Sequence, residues 1–324
     1  MSKKCFGVDV GGTTVKLALV SENGHIEDMW EIPTRTESDG SQIIPDICDA
    51  LKAKMQEKGL GMQDILGIGM GVPGPVLEDG TVDGCINLGW GRKQAGRELS
   101  EGMGGLPVAV GNDANVAALG EQWQGGGKGH ASMVMVTLGT GVGGGIILDG
   151  EMLGGKTGGA GEIGHINCVA EEDLDEANCN CGNHGCLEQI ASATGTVRFA
   201  RKVLRESDMP SILRDKEDFT AKDVYDAAKA GDTAATHVIR RVTGYLGQAL
   251  AGIAAVVDPE IIVVGGGVSK AGGFLIRQTA EKFRACAFNQ QKHIPIVLAS
   301  LGNEAGVIGA SRMIMNQCGE DTAP

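Results

Sequence analysis

Aromatic residues and basic runs are scarce in this 324-residue sequence. Phe, Trp and Tyr make up only 3% of it, so a core must be built from aliphatic and small side chains. Lys and Arg number 28 against 41 Asp and Glu, a net charge of −13, and no run of five basic residues occurs. Proteins that bind nucleic acid usually present a basic stripe. We therefore expect no nucleic-acid partner.

Long apolar runs are also missing. No stretch reaches the roughly 18 apolar residues of a transmembrane helix, and the apolar segment near the N-terminus is broken at Asp9 and Gly11, which is not typical of a signal peptide. The nine cysteines are an odd number without an export signal, and this indicates reduced thiols or metal ligands rather than disulfides. We expect a cytoplasmic protein without a membrane partner.

Glycine, by contrast, is abundant. The 53 glycines are about twice the usual ~7%, which indicates many backbone positions with positive φ or a close approach to a ligand. Predicted strands and helices alternate, which favours an α/β fold. The predicted strands are residues 5–10, 15–20, 65–70, 106–110, 261–264 and 294–298, and the predicted helices are 43–55, 113–123, 242–257 and 304–315.

A weak internal repeat relates residues 5–13 to residues 133–141. Each segment is an apolar strand, a polar residue, a turn of Gly and Thr, and the start of a second strand. The offset of 128 residues is too long for a solenoid repeat. We interpret it as two similar lobes that each open with a β-hairpin, with chance similarity between glycine-rich hairpins as the alternative.

The two Gly/Thr turns have a chemistry that suits a nucleotide. Glycines let backbone N–H groups approach a phosphate, Thr hydroxyls add donors, and an acid at the strand end, Asp9, can hold a hydrated Mg²⁺. A plain tight turn is the alternative for either one alone. The predicted contacts are Asp9, Gly11, Gly12, Thr13, Thr14 and Lys16 in the first turn, and Thr137, Gly139, Thr140 and Gly141 in the second.

Three cysteines and a histidine have the spacing of a metal site. Cys179, Cys181 and Cys186 lie within eight residues, and His165 precedes Cys179 by 14. Three Cys and one His form a closed tetrahedral set for a structural Zn²⁺. Cys168 and His184 remain rival ligands, and free structural thiols are the alternative.

Carboxylates near a predicted helix start and beside the cysteines could act on a substrate. Asp113 follows a strand and begins a helix, where capping by Asn112 or Asp113 is the simpler interpretation. An ionised carboxylate there also suits phosphoryl transfer, in which it orients a hydroxyl and accepts its proton. Glu162 and Glu188 flank the cysteine cluster and could bind sugar hydroxyls, with solvated surface acids as the alternative.

Together these motifs resemble the ROK family of sugar kinases over nearly the whole chain. The resemblance is carried by Asp9-x-Gly-Gly-Thr-x-x-Lys16, Leu138-Gly-Thr-Gly141, Gly161-Glu-x-Gly-His165 and Cys179-x-Cys-Gly-x-x-Gly-Cys-x-Glu188. Residues 87–90 and 112–121 are similar to the glucokinase branch. Many members have Lys at the position of Thr14, and whether Lys16 makes that contact stays open.

The resemblance implies an actin/hexokinase-like (ribonuclease H-like) duplicated α/β fold with two lobes, an interlobe cleft and a zinc loop. The implied lobes are residues 1–112, completed by a C-terminal helix at 303–324, and residues 113–302. We expect no N-terminal helix-turn-helix domain of the kind that repressors of this family carry, because the first predicted strand begins at Cys5.

The implied activity is ATP-dependent phosphorylation of a hexose, above all D-glucose to glucose 6-phosphate, with Mg²⁺ and Zn²⁺. An N-acylmannosamine, N-acetylglucosamine or allose kinase and a non-catalytic sugar sensor are the alternatives. A dimer or tetramer is expected, because ROK proteins often form homo-oligomers.

The resemblance also assigns roles to individual residues. Asp113 is the implied general base, and Asp9 lies near Mg²⁺. The implied sugar contacts are Asn87, Asn112, Asp113, Glu162, His165 and Glu188, the adenosine contacts are Gly265, Gly266 and Gly267, and the zinc ligands are His165, Cys179, Cys181 and Cys186. No role is assigned to Cys5, Cys48, Cys85, Cys286 or Cys318.

Overall fold

A computed structural model describes residues 3–320, so the last four residues of the predicted C-terminal helix lie outside the described part. The strands are β1 (Lys4–Val10), β2 (Thr14–Ser21), β3 (Ile26–Pro33), β4 (Ile65–Val72), β5 (Val82–Cys85), β6 (Trp90–Lys93), β7 (Val108–Asn112), β8 (Met133–Leu138), β9 (Val142–Leu148), β10 (Glu151–Met152), β11 (Ile261–Gly265) and β12 (Ile296–Leu298). The α-helices are α1 (Glu37–Gly40), α2 (Ile43–Lys58), α3 (Ala95–Gly102), α4 (Asp113–Gln124), α5 (Glu188–Ala191), α6 (Ala193–Glu206), α7 (Ala221–Lys229), α8 (Thr233–Val257), α9 (Gly273–Cys286) and α10 (Ala305–Glu320).

The predicted α/β class is confirmed by two five-stranded sheets with the same strand order. The first sheet runs β3-β2-β1-β4-β7 and the second β10-β9-β8-β11-β12. In each, a hairpin supplies the first two strands, and the later strands β4 and β7, or β11 and β12, run parallel to the first. The repeated order agrees with the predicted duplication.

Residue contacts divide the described chain into two units. The first contains the residues up to Ala131, Gly145–Gly161, and those from Leu301 onward; the second contains Ser132–Gly144 and Glu162–Ser300. The predicted lobes at 1–112 and 113–302 stay a prediction.

Glycines allow helix α10 to pack directly on the first sheet and on α4. A Cβ on Gly7 would lie 2.0 Å from the Val307 carbonyl oxygen, and one on Gly69 would lie 1.7 Å from that of Ala310. A Cβ on Gly309 would meet the Val116 carbonyl oxygen at 1.7 Å. Part of the glycine excess therefore serves helix packing rather than ligand contact. The other face of the sheet packs on α2 through aliphatic side chains such as Ile47 and Leu51, both fully buried, so the core needs few aromatics.

Several element boundaries differ from the prediction, those of α8 and β7 among them. Helix α8 begins at Thr233 rather than at 242, because the Asp232 side chain caps it by accepting a hydrogen bond from the Ala235 N–H. Strand β7 is shifted two residues later and ends at Asn112. No helix within residues 3–320 has the length and apolar character needed to cross a bilayer.

Candidate active site and metal centre

In the first unit, the acidic candidates lie at one edge of the sheet. Strands β1, β4 and β7 are parallel neighbours, and Asp9 pairs with Gly71, which pairs with Gly111. Asp9 therefore lies near the carboxyl end of β1, and Asp113 directly follows the carboxyl end of β7 in the same sheet. Ligands bind at the carboxyl ends of the strands in open α/β sheets. A Cβ on Gly71 would lie 3.6 Å from the Cα of Asp113, so β4 runs close to the start of α4.

Asn112, not Asp113, caps helix α4. The Asn112 Oδ1 accepts hydrogen bonds from the Ala114 N–H at 3.0 Å and the Asn115 N–H at 3.2 Å, while its Nδ2 donates to the Gly74 carbonyl at 3.1 Å. Asp113 is the first residue of the helix, and its Oδ1 accepts from the Ala114 N–H at 2.7 Å. The positive end of the helix dipole favours an ionised carboxylate at this position. Capping thus accounts for Asn112, and the side chain of Asp113 is not the cap of this helix.

The first Gly/Thr turn is a tight hairpin held by a residue that the sequence analysis did not identify. The Gly11 N–H donates to the Thr14 carbonyl at 3.0 Å, and Thr34 ties the turn down through its hydroxyl, 2.7 Å from the Gly11 carbonyl. Gly12 and Thr13 are exposed at the tip. Their N–H and hydroxyl groups can therefore reach a phosphate. No local pattern marks Thr34, which is 23 residues from Gly11.

Asp9 faces Lys16 across the hairpin. The Lys16 Nζ is 3.8 Å from the Asp9 Oδ2. Burial raises the pKa of the Asp9 carboxyl above its ordinary value, and the Lys16 charge partly opposes that rise. A cation near Asp9 would lower the pKa of this carboxyl further, which is the electrostatic setting of a divalent-metal ligand.

In the second unit, the other Gly/Thr turn lies beside the predicted adenosine segment. Thr137 at the end of β8 pairs with Gly265 at the end of β11. The Gly139 N–H donates to the Gly141 carbonyl at 2.9 Å and closes the turn. Gly266 has φ +82°, and a Cβ there would lie 2.5 Å from the Leu138 carbonyl oxygen, so only glycine fits between the two segments. Thr140 is exposed at the turn, and Gly267 has open space around it.

The predicted zinc ligands come together. One donor atom from each of His165, Cys179, Cys181 and Cys186 lies within 4.8 Å of the others. The Cys179 Sγ is 3.5 Å from the His165 Nδ1, and the Cys181 and Cys186 sulfurs are 3.6 Å apart. Three thiols and one imidazole nitrogen at these separations fit a tetrahedral Zn²⁺.

The rival ligands do not belong to this cluster. Among the described residues the set of converging donors excludes Cys168 and His184. The His184 Nε2 lies 3.4 Å from the Glu171 Oε1, and partial burial raises the pKa of the Cys168 thiol to about 11. The spacing alone did not separate these candidates from the four that converge.

The three thiols of the cluster differ in acidity. Burial raises the pKa of Cys179, and it raises that of Cys186 to about 12. Hydrogen bonding from the Asn183 backbone lowers the pKa of the exposed Cys181. Because a metal binds the thiolate form, zinc binding would release protons from the two buried thiols.

His165 and Glu188 connect the cysteine cluster to other groups. The His165 Nε2 lies 3.7 Å from the half-exposed Glu162 carboxylate, on the opposite side of the ring from Nδ1. One Glu188 oxygen accepts a hydrogen bond from the Val142 N–H at 2.9 Å, and the other lies 3.8 Å from the Cys179 Sγ. A Cβ on Gly141 would lie 2.3 Å from Glu188, so the second Gly/Thr turn fits against this carboxylate.

Asn87 lies exposed in a short 3₁₀ turn of the first unit, Ile86–Leu88. The turn is fixed by the buried Leu88 and by Trp90, whose Nε1 donates to the Gly40 carbonyl at 3.1 Å. The amide of Asn87 is therefore presented to solvent by a rigid support.

Residues 150–157 match the P-loop spacing G-x-x-x-x-G-K-T by coincidence. A P-loop joins a strand to a helix, whereas here the pattern contains the short strand β10 and leads to a glycine-rich loop. Lys156 and Thr157 are exposed. The segment is not a P-loop.

Comparison with known proteins identifies the family. A family model described as the ROK family matches residues 5–317. The glucokinase of Halalkalibacterium halodurans is 44% identical over 316 residues, which cover 96% of this chain and 94% of that protein.

Two solved structures are similar over almost the full length. A ROK family glucokinase from Streptomyces griseus, in complex with glucose and AMPPNP, is 33% identical with a TM-score of 0.72, covering 95% of this chain and 98% of that one. A ROK hexokinase from Thermus thermophilus is 28% identical with a TM-score of 0.82, covering 98% and 99%. The chain belongs to the ROK family, as its motifs predict.

Proposed function

We propose that this protein is an ATP-dependent hexose kinase that converts D-glucose to glucose 6-phosphate. The observation that carries the proposal is the placement of Asp113, in the first turn of α4 and at the same sheet edge as Asp9. The relative named glucokinase at 44% identity and the similar structure with bound glucose and AMPPNP support the choice of substrates.

Asp113 is the proposed general base. Its carboxylate would orient the 6-hydroxyl of the sugar and accept the proton as that oxygen bonds to the γ-phosphorus of ATP and ADP leaves. A phosphoryl-transfer transition state is loose, so a carboxylate kept ionised by a helix N-terminus is sufficient. Base assistance of this kind contributes about 10²–10⁴-fold.

Each unit contains residues that are candidates for binding sugar hydroxyls. In the first, the Asn112 amide is fixed by the helix cap and by Gly74, and Asn87 offers an exposed amide. In the second, Glu162, His165 and Glu188 surround the cysteine cluster. Since the His165 Nδ1 faces Cys179, its Nε2 remains for a sugar hydroxyl. Zinc, when bound, would fix this ring and order the loop that carries it.

Each of the two Gly/Thr turns is a proposed phosphate-binding turn for ATP. The first would contribute Gly11, Gly12, Thr13, Thr14 and Lys16, and the second Thr137, Gly139, Thr140 and Gly141, with Gly265, Gly266 and Gly267 beside the adenosine. Tight turns without side chains expose N–H groups to phosphate oxygens. Asp9 is the proposed carboxylate near Mg²⁺, which would neutralise charge on the phosphates.

A sugar-by-donor activity matrix tests the proposal. Glucose, mannose, allose, N-acetylglucosamine and N-acetylmannosamine would each be assayed with ATP, GTP and polyphosphate, and the product mapped by NMR. We expect glucose with ATP to give the highest kcat/KM and a 6-phosphate. A higher kcat/KM for an N-acyl sugar than for glucose would indicate an N-acylhexosamine kinase. Glucose binding without any phosphorylated product would indicate a sugar sensor. A cytoplasmic location and a homo-oligomer are part of the proposal and stay predictions.

A further inference from the structure

Gln189 makes an unusual set of hydrogen bonds for a buried side chain. It follows Glu188 at the start of the short helix α5 and is 7% exposed. Its Oε1 accepts from the Gly185 N–H at 2.8 Å and the Cys186 N–H at 3.1 Å, and its Nε2 donates to the Ala177 carbonyl at 2.8 Å. The Gln189 amide thus connects Ala177, two residues before Cys179, with the backbone at Gly185 and Cys186.

The two adjacent side chains at the start of α5 therefore hold different loops. Glu188 reaches the second Gly/Thr turn through the Val142 N–H, whereas Gln189 closes the segment that contains Cys179 and Cys186. Gly185 has φ +98°, so the backbone bends sharply where Gln189 binds it. The buried N–H groups of Gly185 and Cys186 at this bend need a hydrogen-bond acceptor. The Gln189 Oε1 accepts from both of them.

We propose that Gln189 is a positioning residue for the zinc centre, holding the cysteine loop closed so that its sulfurs face His165. The inference rests on the zinc site of the proposed function. Groups beyond the metal ligands that fix their geometry commonly change metal affinity by about 10–100-fold when they are mutated. Because His165 serves both the cluster and the sugar, opening of the loop also weakens glucose binding.

Zinc release from the zinc-loaded full chain tests this role. The release rate to a chromogenic chelator would be compared for wild type, Gln189→Leu, Gln189→Glu and the control Gln291→Leu. Gln291 is equally buried, at 7% exposure, and its Nε2 makes two 2.8 Å hydrogen bonds, to the Ala254 carbonyl and the Asp258 carboxylate. The control thus removes a comparable buried amide of the same unit that does not bind the cysteine loop.

We expect zinc release from Gln189→Leu about 10–100-fold faster than from wild type, with a raised KM for glucose and kcat within a few-fold. Gln189→Glu keeps the acceptor for Gly185 and Cys186, so its zinc release rate should lie between those of wild type and Gln189→Leu. This variant also tests the inference if Gln189→Leu does not fold. Gln291→Leu should match wild type in both readouts.

Two results would overturn the inference in distinguishable ways. Zinc release from the zinc-loaded Gln189 variants at the wild-type rate would refute the positioning role of Gln189 and would leave the zinc site unaffected. A wild-type protein that binds no zinc would refute both the zinc centre of the proposed function and the positioning role of Gln189.

Discussion

At the residue scale, Asp9 combines a functional position with an energetic cost. Its ordinary pKa is 3.8, and burial raises it in the folded chain. As pH rises, the unfolded chain therefore loses the proton first, so that ionisation of Asp9 lowers the free energy of unfolding above pH 3.8. Ionised Asp9 lowers the free energy of unfolding and faces Lys16 across the first Gly/Thr turn. These two features fit a carboxylate whose role is to bind a cation.

We expect Asp9→Asn to raise the melting temperature at pH 7 and to lower kcat/KM for ATP on the order of 10²-fold. The gain in stability should shrink as the pH falls towards 4, because the wild-type carboxyl then becomes neutral. Thermal melts across this pH range and steady-state kinetics check both effects.

Asp28 is the matched control for this prediction. Hydrogen bonds from Lys58 and Lys54 lower its pKa to about 2, which is the opposite direction. Asp28→Asn should therefore lower the melting temperature at pH 7 and leave kcat/KM unchanged. A fall in stability for Asp9→Asn would contradict the explanation.

Residue types and spacings predicted the convergence of His165, Cys179, Cys181 and Cys186 and the two tight turns, because these residues lie in short segments with a distinctive composition. The contacts of Thr34 and Gln189 were not predictable. Thr34 binds Gly11 across 23 residues, and the partners of Gln189 are backbone groups of a loop whose conformation no spacing specifies. Polar residues that support a site from a distance leave no motif.

At the scale of elements, the junction between β7 and α4 places the proposed base. Asn112 ends the strand, caps the helix and reaches Gly74, so the direction of the first helical turn depends on one amide. Its two functions use different atoms, which allows them to be separated by mutation.

Asn112→Ala should cost about 1 kcal/mol of unfolding free energy, like other lost N-caps, and should raise the KM for glucose. Asn112→Ser retains a capping oxygen but loses the donor to Gly74, so it should keep most of the stability and still raise KM. Chemical denaturation and kinetics measure the two effects.

Thr220→Ala provides the comparison, because Thr220 caps α7 through the Asp223 N–H. It should lose a similar amount of stability without any change in KM. Equal glucose KM values for wild type and both Asn112 variants would remove Asn112 from the sugar site.

Local patterns predicted most elements that flank the turns, since apolar runs bounded by glycine are informative there. They placed the start of α8 nine residues late, although Ala235, Val238, Ile239 and Val242 follow the helical spacing and are buried, and Asp232 provides a capping side chain. The existence of α8 followed from the sequence, whereas β3, α3, α6, α7 and α9 were not predicted.

At the scale of the whole molecule, residues distant in sequence share a unit. Gly145–Gly161 and the chain from Leu301 onward join the first unit through non-local contacts such as those of α10 with β1 and β4. No local pattern encodes such a return of the chain. The repeat at 5–13 and 133–141 nevertheless pointed to duplication, because each copy starts the same strand order.

Removal of zinc should affect a loop rather than the fold. The first unit has its own core of buried aliphatic residues and contains none of the four ligands. Chelation should therefore preserve the far-ultraviolet circular dichroism spectrum and raise the KM for glucose, and restored zinc should reverse the change. Cooperative unfolding of the whole chain on chelation would show that the metal supports more than the cysteine loop.

The most direct test of the account is the turnover of Asp113→Asn in a coupled assay for glucose 6-phosphate. The variant keeps the size of the side chain and removes the proton acceptor. Asp232→Asn, the same exchange at the cap of α8, is the control and should match wild type. We predict a fall in kcat of about 10²–10⁴-fold with a KM for glucose within a few-fold of wild type. A kcat for Asp113→Asn close to that of wild type would contradict the assignment of the base.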